Sequence, residues 1–218
     1  MAQLRARQSN SRPNRPRVRT RSASPIVLSL FDRSTVFVRP WAEAGFLCYC
    51  VDLAHPPGES REGNVVRVGA DILHWLPPRA DFAFVAAFPP CTHLAVSGAR
   101  WFRGKGLAIL AESMLLFHRA AAICEWSGAP YLIENPVSVA STHWRRPDHV
   151  FDPCDYGDPW TKRTCLWSGG GFRMPAKRRV EPVLGSRVHR LPPSADRAAL
   201  RSETPPGFVR AVFEANGP

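Results

Sequence analysis

The 218-residue chain carries 29 Lys and Arg against 18 Asp and Glu, for a formal net charge of +11 and a sequence pI of about 10.3. Its length and 44 % hydrophobic content suit one well-cored domain and argue against two. The charge favours an acidic partner, nucleic acid first.

Part of the positive excess is local. Arg5, Arg7, Arg12, Arg15, Arg17, Arg19 and Arg21 fall within residues 1–25, which contain no acid. This composition predicts a disordered basic arm ahead of a single domain over 26–218. Proline-rich and without amphipathic period, the arm reads as a nucleic-acid contact before a transit peptide. No apolar region follows it as a secretory signal requires, and no apolar run reads as a bilayer span, so the expectation is a cytoplasmic protein of a bacterial or phage-infected cell with no membrane partner.

After the arm, Ile26 to Phe31 reads as an apolar strand, Arg39 to Ala44 as a short helix broken by Gly45, and Phe46 to Asp52 as a second strand. Cys48 and Cys50 alternate in that strand, which predicts burial on one face. Val65 to Val68 is a third strand. Phe82 to Phe88 is a fourth, apolar on both faces as strands inside a covered parallel sheet are. It runs through Pro89-Pro90 into Cys91. Leu107, Leu110, Met114, Phe117, Ala121 and Cys124 then recur at helical spacing up to Gly128, where a C-terminal cap is expected. Tyr131 to Ile133 is the fifth strand and runs into Glu134-Asn135-Pro136. If the fourth and fifth strands are parallel neighbours, a thiol and a carboxylic acid arrive side by side. The later part is punctuated by prolines, with a short strand at Thr164 to Trp167, a basic cluster at Lys177-Arg178-Arg179, and a closing helix at Phe208 to Glu214.

Strand, helix, strand in this order predicts an α/β fold: a Rossmann-like, doubly wound and mostly parallel sheet whose ligands sit beyond the carboxyl ends of the strands. The six cysteines form no paired Cys-x-x-Cys framework, so no metal is expected. His93, two residues past the thiol, is a weak candidate base and more commonly a solvated turn histidine. Trp101 and Phe102, beside Arg100 and Arg103, suit either a mobile DNA-contacting loop or packing against the domain.

The order of motifs resembles the cytosine-5 DNA methyltransferases, in particular the short forms of bacterial viruses and mobile elements. Ser29-Leu30-Phe31, Val51-Asp52-Leu53 and Gly69-Ala70-Asp71-Ile72 look like successive cofactor motifs. Pro89-Pro90-Cys91 is similar to the catalytic Pro-Cys motif and Ile133-Glu134-Asn135-Pro136 to the Glu-Asn motif. Thr161 to Trp167 looks like the basic strand that follows, and Arg201 to Gly207 like the lead into the closing helix.

The resemblance implies a class I S-adenosylmethionine-dependent methyltransferase fold and methyl transfer to C5 of cytosine in DNA. By it, Cys91 adds to C6 as a thiolate, which a lowered pKa or base assistance from nearby basic groups would provide, Glu134 protonates or holds N3, and Arg163 neutralises the base O2 or a phosphate. Phe31, Asp52, Asp71, Pro90 and Thr204 would hold S-adenosylmethionine. Without the resemblance, Asp52 and Asp71 are ordinary turn acids and Phe31 a core residue. Arg100, Arg103, Lys162, Lys177, Arg178 and Arg179 are the candidate nucleic-acid contacts.

Two departures stand out. No glycine remains in Phe31-Asp32-Arg33-Ser34-Thr35-Val36, where relatives place several, so Arg33 and Thr35 are expected to reshape the cofactor pocket. The interval from Trp167 to Arg201 is too short for a full target-recognition domain, so sequence choice is either loose or supplied by the basic arm, the Lys177 to Arg179 cluster or a protein partner. Modification of RNA or of a free nucleotide, a variant cofactor, and non-catalytic nucleic-acid binding remain as alternatives.

Overall fold

The computed structural model describes residues 25–186, 190, 192, 194 and 201–218. The basic arm, up to residue 24, lies outside the described residues. In chain order the elements are β1 (Ile26–Leu30), α1 (Arg39–Glu43), β2 (Cys48–Val51), β3 (Gly58–Glu62), β4 (Val65–Gly69), β5 (Phe82–Ala87), α2 (Phe102–Lys105), α3 (Leu107–Ser127), β6 (Tyr131–Pro136), α4 (Ala140–His143), β7 (His149–Phe151), β8 (Thr164–Gly169) and α5 (Pro206–Asn216). A 3-10 turn, Val96–Trp101, leads into α2, and another, Pro153–Tyr156, follows β7.

The strands form one eight-stranded sheet in the order β3-β4-β2-β1-β5-β6-β8-β7. From β4 to β6 every pairing is parallel. β3 and β8 run antiparallel to their neighbours. From β1 the chain moves outward through β2 to β4 and then returns to place β5 on the other side of β1. The order therefore reverses between β1 and β5, the place where doubly wound sheets bind ligands. This is the Rossmann-like, doubly wound and mostly parallel architecture expected from the sequence.

Both faces of the sheet are covered, which is why β1 is buried at all five positions. Leu28, Leu30, Val85 and Ile133 join Phe117, Ala121 and Cys124 of α3 in one core. Val27, Cys48, Cys50, Phe84 and Leu132 join Trp41 of α1 and Phe208, Val209 and Val212 of α5 in the other. In that second core Trp41 packs on Phe84 and on Phe213, each with ring centroids 5.1 Å apart, and Phe151 stacks on Phe208 at 4.1 Å. Gly128 caps α3 in the left-handed conformation at φ 65°, which glycine adopts without a Cβ clash.

α3 departs from expectation twice. It is long and apolar enough by length and composition to cross a membrane, contrary to the reading that no run is, yet it lies along β5 and β6 as a sheet-covering helix. Leu107 was expected on its core face but is 78 % exposed. β3 and β7 were not foreseen. β3, Gly-Glu-Ser-Arg-Glu, is exposed at every residue and exists only as a charged edge paired to β4. Where β4 ends, a Cβ on Gly69 would run into the Pro56 carbonyl, so only glycine fits.

Candidate active site at the carboxyl ends of β5 and β6

Val85, Ala86 and Ala87 lie opposite Tyr131, Leu132 and Ile133 in parallel register, so both chains leave the sheet on the same side. β5 continues through Phe88-Pro89-Pro90 to Cys91. The buried Asn135 amide nitrogen donates to the Pro89 carbonyl over 2.8 Å and clamps the proline turn against β6. Backbone bonds from Val96 N to Val137 O and from Val139 N to Leu94 O, both 3.0 Å, join the residues that follow. The turn that carries the cysteine is therefore fixed from two sides.

Cys91 stands apart from the other cysteines. Cys48, Cys50, Cys124, Cys154 and Cys165 are buried and free, whereas Cys91 is free and partly exposed. Burial and then the Glu134 charge push the Cys91 thiol up, against the pull of Lys162 and Arg201. Of the two expected routes to a thiolate, a lowered pKa is not what forms, because the basic neighbours are present but outweighed; base assistance remains. The Glu134 and Lys162 side chains are 14 % and 13 % exposed, with Nζ 3.7 Å from Oε1. That is an ion pair but too long for a hydrogen bond, and Glu134 Oε1 has no hydrogen-bond partner among the described residues.

The strand register explains why Lys162 is the cation beside Glu134. Glu134 faces Leu166 and Asn135 faces Cys165 across the β6–β8 pair. Alternate residues share a face, so the face of Glu134 continues through Leu166 and Thr164 toward Lys162. Arg163 falls on the opposite face, where it is exposed and acts on Cys165. The thiol, carboxyl and ammonium come together; Arg163 does not join them. Arg201, whose charge reaches Cys91, heads the segment read as the lead into the closing helix but was not named as a site residue, because only the fold brings it near the thiol.

At the β1 end, Leu30 lies opposite both Val51 and Ala87, which brings Phe31, Asp52 and the Cys91 turn to one edge. Phe31 and Thr35 both sit at φ 58°, so the loop keeps a left-handed course without glycine. The Asp32 carboxylate, 4 % exposed, holds it there. It accepts from Ser29 Oγ at 2.8 Å, Ser34 Oγ at 3.1 Å and the Thr35 N–H at 2.7 Å. Burial, opposed by these bonds, pushes its pKa up. Arg33 is exposed.

Asp52 accepts the Ala54 N–H on Oδ1 at 2.7 Å, and its other oxygen carries no such bond among the described residues. Asp71 is more committed. It accepts from the Leu73 N–H at 3.0 Å and bonds His74 at 2.8 Å, and these two contacts hold its carboxyl below the usual range. Thr204 is buried just before α5, and Pro90 is exposed.

The expected nucleic-acid contacts divide. Arg100 and Arg103 are exposed, and Lys162 lies in the site. Lys177 and Arg179 reach the carboxylate of Asp155, itself 4 % exposed, at 2.9 Å and 2.6 Å. Arg178 pairs with Glu214 at 3.8 Å. That cluster pins the segment after β8 to the Pro153–Tyr156 turn and to α5. Among the described residues no cluster of three or more His, Cys, Asp or Glu could hold a metal ion.

Neither a family model nor a curated protein matches the chain. Solved structures similar to it include the CcbJ methyltransferase of Streptomyces caelestis, at 16 % identity over 59 % of this chain and 49 % of that one, with a TM-score of 0.29. Another is a 16S rRNA (adenine(1408)-N(1))-methyltransferase of Catenulisporales acidiphilia, at 20 % identity over 58 % of this chain and 61 % of that one, also with a TM-score of 0.29. The chain thus spans about half of the first and three-fifths of the second. At these scores the likeness carries no functional argument, and the chemistry has to be argued from the residues.

Proposed function

We propose that the chain is a DNA cytosine-5 methyltransferase acting through a covalent Cys91 adduct. The observation that carries this reading is the electrostatic coupling of one partly exposed thiol to one carboxyl and one ammonium group at the ends of adjacent parallel strands. A cytosine ring needs that set, because C5 is a poor nucleophile until sulfur adds at C6 and a proton is supplied at N3.

The proton balance suits the pair. A Cys91 thiol beside a Glu134 carboxylate differs from a thiolate beside a carboxylic acid only in the position of one proton, so the reactive form arises without net charge entering a buried site. Once Glu134 is neutral, its opposition to the thiolate disappears and Lys162 favours it. In the adduct, Glu134 donates toward N3 and the electron pair on C5 becomes available. After transfer, loss of the C5 proton expels the Cys91 sulfur and restores the ring.

S-adenosylmethionine, when bound, supplies an electrophilic methyl group. The chain's residues fit it at the β1 edge: Phe31 offers a face for adenine, and the uncommitted oxygen of Asp52 can accept from the ribose hydroxyls. Asp71 could serve the adenine amine only by giving up part of its local turn. DNA exposed to the protein with labelled cofactor, digested and examined by nucleoside mass, tests the reading. A labelled 5-methylcytosine is expected, and no modified nucleoside or a different one would reject it. A modified RNA pyrimidine in a parallel reaction would favour the RNA alternative.

A further inference from the structure

The segment after Cys91 forms a structured shelf. Val96–Trp101 is a 3-10 turn and Phe102–Lys105 a helical turn. Lys105 Nζ donates to the Thr92 carbonyl at 3.0 Å, which ties the shelf to the residue next to the thiol. Between it and the start of α3 runs a cleft of about 310 Å³, lined by His93, Phe102, Arg103, Lys105, Leu107 and Leu110 among others. Its floor is apolar and its rim cationic. His93 lies in a turn and is partly exposed, as expected, but its Nδ1 is enclosed and has no hydrogen-bond partner among the described residues.

Two further observations point to the ligand's chemistry. Trp101 is 59 % exposed, and the Arg100 guanidinium lies 5.0 Å from its ring centroid, leaving an aromatic and cationic surface in solvent. No acidic residue lies between Asp81 and Glu112. An exposed ring, a positive rim and an unpartnered imidazole nitrogen suit an unstacked base and its phosphate better than an acidic protein surface, which offers no flat ring.

We infer that this shelf binds the nucleotide flanking the target base, and that the preferred partner is single-stranded DNA. A base can lie on Trp101 or enter the cleft only after leaving its own stack, which single strands do at little cost and duplexes do not. The inference rests on the proposed chemistry at Cys91 for which base counts as the target and for DNA over RNA.

The test uses the full chain, a short oligodeoxynucleotide with one cytosine flanked by 2-aminopurine, its duplex, and the same sequence as RNA. The single strand should bind about tenfold tighter than the duplex with quenching of the 2-aminopurine. Trp101→Ala should remove the quenching and weaken single-strand binding roughly five- to hundredfold while leaving duplex binding, which draws on the basic residues in general, unchanged. Arg103→Gln should weaken single-strand binding and flatten its salt dependence. Tighter binding of the duplex, tighter binding of the RNA, or a silent Trp101→Ala with an unchanged melting temperature would each overturn the inference. Trp101-dependent binding without nucleoside modification would sink the methyltransferase reading and leave the shelf standing; modification of duplex DNA with Trp101 silent would do the reverse.

Discussion

Two carboxylates lie at the same edge of the sheet and illustrate opposite uses of burial. Asp32, 4 % exposed, is met by two hydroxyls and a backbone N–H. Glu134, 14 % exposed, has a lysine at 3.7 Å and an oxygen with no hydrogen bond among the described residues. The first side chain is closed on its own loop and fixes shape. The second keeps bonding capacity in reserve beside a thiol, which is costly for stability and useful only for chemistry. The loop after β1 is thus a built wall, while the corner of β5 and β6 keeps polar groups uncommitted.

The sharpest break in this comparison is Cys91→Ser. The hydroxyl matches the thiol in size but is a far poorer nucleophile, so nucleoside modification should fall to background while melting temperature and DNA affinity stay near the parent's. Residual activity near the parent level would exclude the covalent route.

The next test changes the thiol's surroundings. Glu134 raises the Cys91 pKa and Lys162 lowers it, so alkylation near neutral pH should speed up in Glu134→Gln and slow in Lys162→Gln. Glu134→Gln should alkylate faster yet lose methyl transfer, because the transferable proton is gone. The other five cysteines are buried, so mass-resolved alkylation reads Cys91. In the parent the rate should keep rising with pH beyond the ordinary thiol range. Rates that move together in the two variants would remove Glu134 and Lys162 as opposed charges.

Legibility in the sequence followed burial. β5 is a continuous apolar run and β1 is one but for Ser29, and the two-sided cover they imply is present. Cys91 and Glu134 were legible because each ends such a run. β3 was not: five exposed residues have no apolar alternation to detect, and only pairing with β4 defines the strand. Choosing between Lys162 and Arg163 needed the β6–β8 register, because a shift of one residue exchanges the two faces of a strand. The Asp32 clamp was hidden as well, since Phe31 to Val36 was read for the glycines it lacks rather than for a side chain that does their work.

Asp32→Asn probes the closed side of the comparison. The amide can accept on one oxygen only and turns an NH2 toward a former donor, so unfolding should cost about 1–3 kcal/mol less than in the parent. The pH dependence has a definite sign. The folded carboxyl is raised above its unfolded value by burial, so its contribution to stability is fullest below the unfolded pKa and is lost as pH rises through the folded one. The parent's advantage over Asp32→Asn should therefore narrow across that window in denaturant titrations. A gap that widens with pH would mean the ionised carboxylate is the favoured buried form.

The smallest effect is expected from restoring glycine at Arg33 and Thr35 together. Thr35 holds φ 58°, a strained course for a β-branched residue, and glycine relieves roughly 1 kcal/mol of it. The added freedom of the unfolded chain removes about as much. Arg33 is exposed and the loop's course is set by the Asp32 carboxylate through the Thr35 N–H, which glycine at position 35 retains. Stability should thus shift by less than about 1 kcal/mol, and calorimetric S-adenosylmethionine affinity by less than about threefold, or ~0.7 kcal/mol. A tenfold loss would mean that Arg33 binds the cofactor through its charge; a tenfold gain would mean that the two side chains obstruct it. Either result would transfer the loop from the wall to the part of the molecule proposed to react.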